Sequence, residues 1–259
     1  MIKKTKNFQK ILMKTDLLIL CATLSEIGGF ISHFPSVSKK LFPSGPVLFS
    51  GEKEGKNYDL LISGPGVFNT VHALTAYLEH SSCSIILHTG IAGVFKEAGL
   101  NIGDLAVASD EQYIHTGVAV ADKAFLNAAL PFELIDSVPS TREGRYYFDS
   151  DLTDRFYKYL FHNVSNDLSV KVAKGAFITV STITGTQDMA GRIYSAFSPV
   201  MESMEGAAAA HVAALYNVPV IEFRAVSNFV GERDKTKWDI DKAVRQIENA
   251  LANCLPEFL

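Results

Sequence analysis

Cysteine is scarce in this chain. Cys21, Cys83 and Cys254 are the three among 259 residues, far apart in sequence and odd in number. No Cys-x-x-Cys and no Cys/His cluster occurs, which argues against a disulfide framework and a zinc site. The expectation is three reduced thiols behaving as small hydrophobes. Net charge is small as well: 24 Lys+Arg oppose 28 Asp+Glu, giving −4. Nucleic-acid-binding domains carry a clear basic excess, so that role is excluded. No stretch reaches the ~20 apolar residues of a membrane span. No GxGxxG opens a helix after a first strand and no GxxxxGK[ST] is present, which removes the dinucleotide-binding and P-loop readings. Repeats and low-complexity tracts are lacking. What remains is an ordinary globular composition, 47% hydrophobic and 20% charged, far from that of a disordered chain. A chain of this length buries roughly 70–75% of its unfolded surface, enough for a core without disulfides or metals.

The beginning of the chain imitates a leader. Lys3, Lys4, Lys6, Lys10 and Lys14 precede Leu17-Leu18-Ile19-Leu20-Cys21. The apolar run is short, however, and Leu20 stands where cleavage wants a small residue. The run therefore reads as a buried first strand and the protein as cytoplasmic. Residues 1–12 read as a polar extension, Met13 as an alternative start, and residues 13–259 as one domain.

Continuous apolar runs at Leu17–Ala22, Tyr58–Ser63, Ser84–Thr89, Leu105–Ala108, Ala176–Val180 and Pro219–Val226 predict strands covered on both faces. Helical spacing predicts helices over Asn69–His80, Leu152–His162, Glu205–Tyr216 and Asp239–Asn253, with Asp149 or Ser150 as a cap. Strands and helices in alternation give the α/β class and a mainly parallel sheet. In such sheets ligands bind beyond the carboxyl ends of the strands. Three residues there stand out: Glu26 after the first strand, in a segment otherwise uncharged from Asp16 to Lys39; Glu205 at the start of an alanine-rich helix; and Asn228 after the last strand.

Six segments in register resemble the superfamily of purine nucleoside phosphorylases and nucleosidases. Ala22-Thr23-Leu24-Ser25-Glu26 is similar to the family's Ala-Met-Glu-Glu-Glu. Ser63-Gly64-Pro65-Gly66-Val67-Phe68-Asn69 is similar to Ser-Gly-Val-Gly-Lys-Val-Asn. Thr89-Gly90-Ile91-Ala92-Gly93 resembles Thr-Gly-Ser-Ala-Gly, followed by the Gly103-Asp104 turn. Met204-Glu205-Gly206-Ala207-Ala208 and Ser227-Asn228 complete the pattern. Within the superfamily, Ser227–Asp234 and Trp238 look most like futalosine hydrolases, which release hypoxanthine from futalosine in a menaquinone route.

The resemblance implies a nucleoside phosphorylase-like fold, a three-layer α/β/α arrangement around a central mixed, mainly parallel twisted sheet. It also implies a homodimer or higher homo-oligomer, a small nucleoside and water as partners, and neither cofactor nor metal. Glu26 is expected to activate water and Glu205 to hold the ribose hydroxyls, with Met204 against the sugar. Ile91, Ala92, Gly93, Thr182, Ile183 and Ser227 would line the substrate. The arginines that hold phosphate in bacterial phosphorylases have no counterpart here, where His88-Thr89 precedes Gly90, so water is the expected acceptor. Related adenine-specific nucleosidases carry Asp where this chain has Asn228. Asn offers one donor and one acceptor, which suits a 6-oxopurine such as hypoxanthine. Arg145, Arg192 and Arg233 are candidates for the substrate's carboxylate.

Overall fold

A computed structural model describes residues 14–33, 36–120, 127–164 and 170–258. The polar extension at 1–12 and the alternative start at Met13 lie outside the described residues, as does the side chain of Cys254. Twelve strands and five α-helices follow in chain order: β1 Lys14–Thr15, β2 Leu17–Cys21, β3 Val37–Leu41, β4 Val47–Lys53, β5 Lys56–Ile62, α1 Val67–Leu78, β6 Ser82–Cys83, β7 Ile86–Val94, β8 Leu105–Tyr113, β9 Arg145–Tyr147, α2 Ser150–Val164, β10 Val172–Thr179, α3 Gln187–Phe197, β11 Met201–Ser203, α4 Gly206–Tyr216, β12 Val220–Phe229 and α5 Ile240–Phe258.

Strand β2 explains why the protein has three layers. Every residue of β2 is buried, because it lies between β5 and β7 with parallel pairing on both sides. Side chains alternate across a strand. Leu17 and Ile19 accordingly join one core with Phe156 and Leu160 of α2 and Ile247 and Leu251 of α5. Leu18 and Leu20 join another with Leu74 and Tyr77 of α1 and Val212 and Ala213 of α4. Helices thus cover both faces of a mixed sheet, as the continuous apolar runs require.

The main sheet runs β11-β10-β8-β12-β7-β2-β5-β4-β3, with β9 paired to β8. Its centre is parallel. Antiparallel pairs occur at the β5-β4-β3 edge and between β12 and β8. One pairing lies outside the sequence expectation: β11 also bonds β7 antiparallel, Met201 opposite Val94 and Glu202 opposite Gly93. Strands β7, β12, β8, β10 and β11 thereby close on themselves, and an open sheet becomes a small barrel at one end.

Two further differences have local causes. Strand β7 does not stop at Gly90 but runs on to Val94, since glycine is what allows close approach there rather than a turn. The hairpin of β3 and β4 escaped the apolar-run criterion because β3 is exposed throughout and carries Lys39 and Lys40, as an unprotected edge strand should. Asp149 is the cap of α2, its Oδ1 accepting the Leu152 N–H at 2.8 Å.

Candidate active site

The carboxyl ends of β2, β5, β7, β11 and β12 surround a cavity of about 320 Å³. Of the residues expected there, Glu26, Ile91, Ala92, Gly93, Ile183, Met204, Glu205, Ser227 and Asn228 line it. Thr182 does not. It is exposed, because the irregular stretch after β10 turns Ile183 toward the cavity and buries Thr184 instead.

Glu26 is held at the end of a short 3-10 turn, Leu24–Glu26. Its Oε2 accepts from the Thr23 N–H at 2.9 Å and the Thr23 hydroxyl at 2.8 Å, and its Oε1 from the Ile91 N–H at 3.1 Å. Glu205 occupies the N-cap position of α4. Its Oε1 accepts from the Gly66 N–H at 2.9 Å. Gly66 can present that N–H because it adopts φ 89° at the start of α1, a conformation glycine reaches without strain. The two carboxylates are buried, Glu26 being 7% and Glu205 6% exposed.

Between them lies a residue that motif reading missed. Arg224 is fully buried on β12. Its Nη1 stands 3.6 Å from Glu205 Oε2 and has no hydrogen-bond partner among the described residues. A Cβ on Gly90 would come within 2.7 Å of that same Nη1 and 3.0 Å of Glu26 Oε1, so glycine keeps the space between guanidinium and carboxylate clear. The sequence did hold a signal. Glu222 and Arg224 are i,i+2 in an otherwise apolar strand, hence on one face, and buried charges must be paired.

Arg224 is anchored from below. Its Nε donates to Glu222 Oε1 at 2.8 Å, and its Nη2 lies 3.0 Å from His88 Nε2. Against burial, which raises it, His88 and Arg224 hold the Glu222 carboxyl down, at about 2. Glu111, also wholly buried, behaves oppositely. Burial and the neighbouring Glu222 push its carboxyl well up, although the Thr179 hydroxyl donates to it at 2.9 Å. A Cβ on Gly206 would collide with Glu111 Oε1 and lie 2.7 Å from Glu222 Oε2, so the two carboxyl groups meet under the start of α4. Two carboxylates this close cannot both ionise comfortably. The proton belongs on Glu111.

At the other end of the cavity Asn228 and Glu202 face in from either side of Gly93. Asn228 Oδ1 lies 2.8 Å from the Ser227 hydroxyl and its Nδ2 donates to the Phe229 carbonyl at 3.1 Å, leaving one N–H and one lone pair unused. Glu202 accepts from the Thr184 N–H at 3.1 Å and from the Thr184 hydroxyl. Burial raises its carboxyl, against the lowering effect of those two bonds and of Arg233. Glu202 was not foreseen, since it lies in no motif. Arg233 and Trp238 also line the cavity, the guanidinium 5.1 Å from the indole centroid. Arg145 is tied to Asp110 and Gln112, and Arg192 pairs with Asp188 on the surface. Among the described residues no group of three or more His, Cys, Asp or Glu is arranged to hold a metal ion, and no helix is long and apolar enough to cross a membrane.

Residues 16–259 match the model of the phosphorylase superfamily. The chain belongs to that family. It is 31% identical over 195 residues to futalosine hydrolase of Acidothermus cellulolyticus, covering 75% of this chain and 73% of the relative. It is 26% identical over 202 residues to 5'-methylthioadenosine/S-adenosylhomocysteine nucleosidase of Oceanobacillus iheyensis, covering 78% and 81%. The solved structure of futalosine hydrolase of Helicobacter pylori superposes with a TM-score of 0.77 at 20% identity, over 95% of this chain and 99% of that one. As a phosphorylase-superfamily member with nucleosidase relatives, the protein is a nucleosidase acting on purine nucleosides.

Proposed function

We propose that this nucleosidase hydrolyses the N-ribosidic bond of futalosine, releasing hypoxanthine, as a step of menaquinone biosynthesis. Breaking that bond builds positive charge on the ribose and negative charge on the base. Glu26 takes a proton from the attacking water. Its oxygens are preset by Thr23 and Ile91, which favours one orientation before substrate arrives. The spare Nη1–H of Arg224 points into the space that Gly90 leaves open, where it can donate to the same water. Glu205 accepts from the ribose hydroxyls and puts negative charge beside the developing cation, through charge-assisted bonds roughly twice as strong as neutral ones. Met204, beside it, packs on the sugar. Ile91, Ala92, Gly93, Ile183 and Ser227 enclose the nucleoside. Arg233, the one of the three candidate arginines at the cavity, receives the substrate's carboxylate.

The observation that carries the choice of base is Asn228. Its free N–H can donate to O6 or N7, and its free lone pair can accept from a protonated N7. Aspartate at this position would set acceptor against acceptor at a 6-oxo group. Phe68 is 88% exposed three residues beyond Pro65 of the cavity, an apolar surface that supports assembly as a homodimer or larger homo-oligomer in which a second copy covers this rim.

The test is incubation of purified protein with futalosine, inosine, methylthioadenosine and S-adenosylhomocysteine, with and without phosphate, identifying the released base. Hypoxanthine from futalosine, independent of phosphate, is the expected result. Preferential release of adenine overturns the choice of substrate, and a phosphate requirement overturns the choice of acceptor.

A further inference from the structure

The two oxygens of Glu26 are not equivalent. Oε2 receives three donors: the Thr23 N–H at 2.9 Å, the Thr23 hydroxyl at 2.8 Å and the Cys21 thiol at 3.6 Å. A carboxylate oxygen has room for about two, so Oε2 has no acceptor capacity left for water. Among the described residues Oε1 receives only the Ile91 N–H, at 3.1 Å. Oε1 is also the oxygen at the gap that Gly90 leaves open. It lies 3.0 Å from the point where a Cβ would stand, and Arg224 Nη1 lies 2.7 Å from the same point. The atom able to take a proton from water is therefore Oε1. The site then needs a device that stops the carboxylate from turning Oε2 toward the gap.

The Thr23 hydroxyl has the geometry for that task. The bond from the Thr23 N–H is the ordinary return half of a capping box, in which an N3 carboxylate serves the backbone at the start of a turn. The hydroxyl bond is additional, and the turn does not require it. Its proton is committed to Glu26, because an ionised carboxylate only accepts. The Ser25 hydroxyl, 2.9 Å from Thr23 Oγ1, is then the donor of that second pair. Thr23 lines the cavity beside Glu26, and β-branching makes its side chain stiff about χ1. We propose that Thr23 is a positioning residue for hydrolysis: its hydroxyl ties down Oε2, so that Oε1 is the base presented to water. This rests on the hydrolase reading given above and is independent of which purine is released. A donor also stabilises the charged form of a carboxylate and so makes it a weaker base. The two effects have opposite signs. Without the hydroxyl, lost orientation slows the reaction, whereas gained basicity would speed it.

The experiment compares Thr23→Val, which keeps the shape and removes the hydroxyl, with Thr23→Ser, which keeps the hydroxyl. Steady-state kinetics without phosphate follow whichever nucleoside of the panel above the wild-type protein cleaves fastest, and calorimetry follows binding of the base it releases. Thr23→Val should lower kcat by about 10- to 100-fold, the scale of a misplaced catalytic group, with KM and the affinity for the base unchanged. Thr23→Ser should recover most of kcat. Thr23→Ala serves in place of the valine variant should that one fail to fold. A purely structural cap would act on folding instead, lowering Tm and leaving kcat of the folded protein untouched. The assignment is overturned if folded Thr23→Val turns over at the wild-type rate or faster, or if Thr23→Ser is as slow as Thr23→Val. Failure of the underlying reading looks different: the wild-type protein itself would then require phosphate, which takes the water away from Oε1 and the assignment with it.

Discussion

Glu111 and Glu222 are two buried carboxyl groups in contact, and the structure assigns them opposite states. Replacing each with glutamine should therefore have unequal effects. Glu222 is ionised. It receives Arg224 Nε at 2.8 Å and lies 3.5 Å from His88 Nδ1. Glu222→Gln leaves the Arg224 guanidinium without its main counter-charge, and removing one partner of a buried pair costs about 3–5 kcal/mol. Glu205, 3.6 Å away, compensates in part, so about 3 kcal/mol is expected. For a chain of this size each kcal/mol shifts Tm by about 2–4 °C, which makes the loss about 6–12 °C. Glu111, by contrast, already holds a proton, and glutamine has the shape of that protonated form. Its carbonyl can accept from Thr179 and its NH2 can donate to Glu222, so the change should stay within about 1 kcal/mol. The pH dependence follows from the same states. Glu222 is depressed to about 2, so its contribution is present above the ordinary carboxylate range and lost as pH falls from about 4.3 toward 2. Glu111 is raised, so its contribution is full below about pH 4.3 and declines as pH rises from there toward its raised folded value. Thermal melts of both variants between pH 3 and 9 provide the assay. Glu111→Gln should flatten the alkaline decline, and Glu222→Gln the acid one. Equal losses at pH 7, or a larger loss for Glu111→Gln, would refute this placement of the proton.

Three shorter predictions concern the chemistry. Glu26→Gln should lower kcat by about 10²–10⁴ while hypoxanthine still binds, as steady-state kinetics and calorimetry can establish; retained turnover would remove Glu26 from its role. Asn228→Asp should move preference from 6-oxo toward 6-amino nucleosides by about 10² or more, measured as the ratio of kcat/KM for futalosine and methylthioadenosine. Gly90→Ala drives a methyl between Arg224 Nη1 and Glu26 Oε1. It should cost about 1–3 kcal/mol of stability by overpacking and suppress kcat more than substrate affinity, and a fully active variant would show that the gap is not where water is activated.

Much of this was legible in the chain before any coordinates. The strands at the centre of the sheet could be read because they are buried on both faces and so remain apolar without interruption, as in Leu17–Cys21. Glu26, Glu205 and Asn228 could be read because each belongs to a short motif at a strand or helix end. The parts that escaped depend on contacts distant in sequence. Glu202 owes its place in the cavity to Thr184 and to the pairing of β11 with Gly93. Arg224 acquires its role from His88, 136 residues earlier. Thr182 was misplaced for the converse reason: sequence locates a loop after β10 but does not say which of its side chains turns inward.

The ring formed when β11 bonds both β10 and β7 has a consequence for how this protein can change. A closed ring has no free edge along which strands can slide, so the groups mounted on it, Glu202 and Asn228, are held at a fixed separation. Slipping β11 by a single residue would turn its side chains to opposite faces and empty the cavity of Glu202. Variation is therefore permitted in the segment beyond β12, where Arg233, Trp238 and Ile240 reach the cavity from outside the ring. The molecule separates a rigid inner wall of the cavity from an editable collar, and under the proposed function new 5' substituents can be accommodated by rewriting the collar alone.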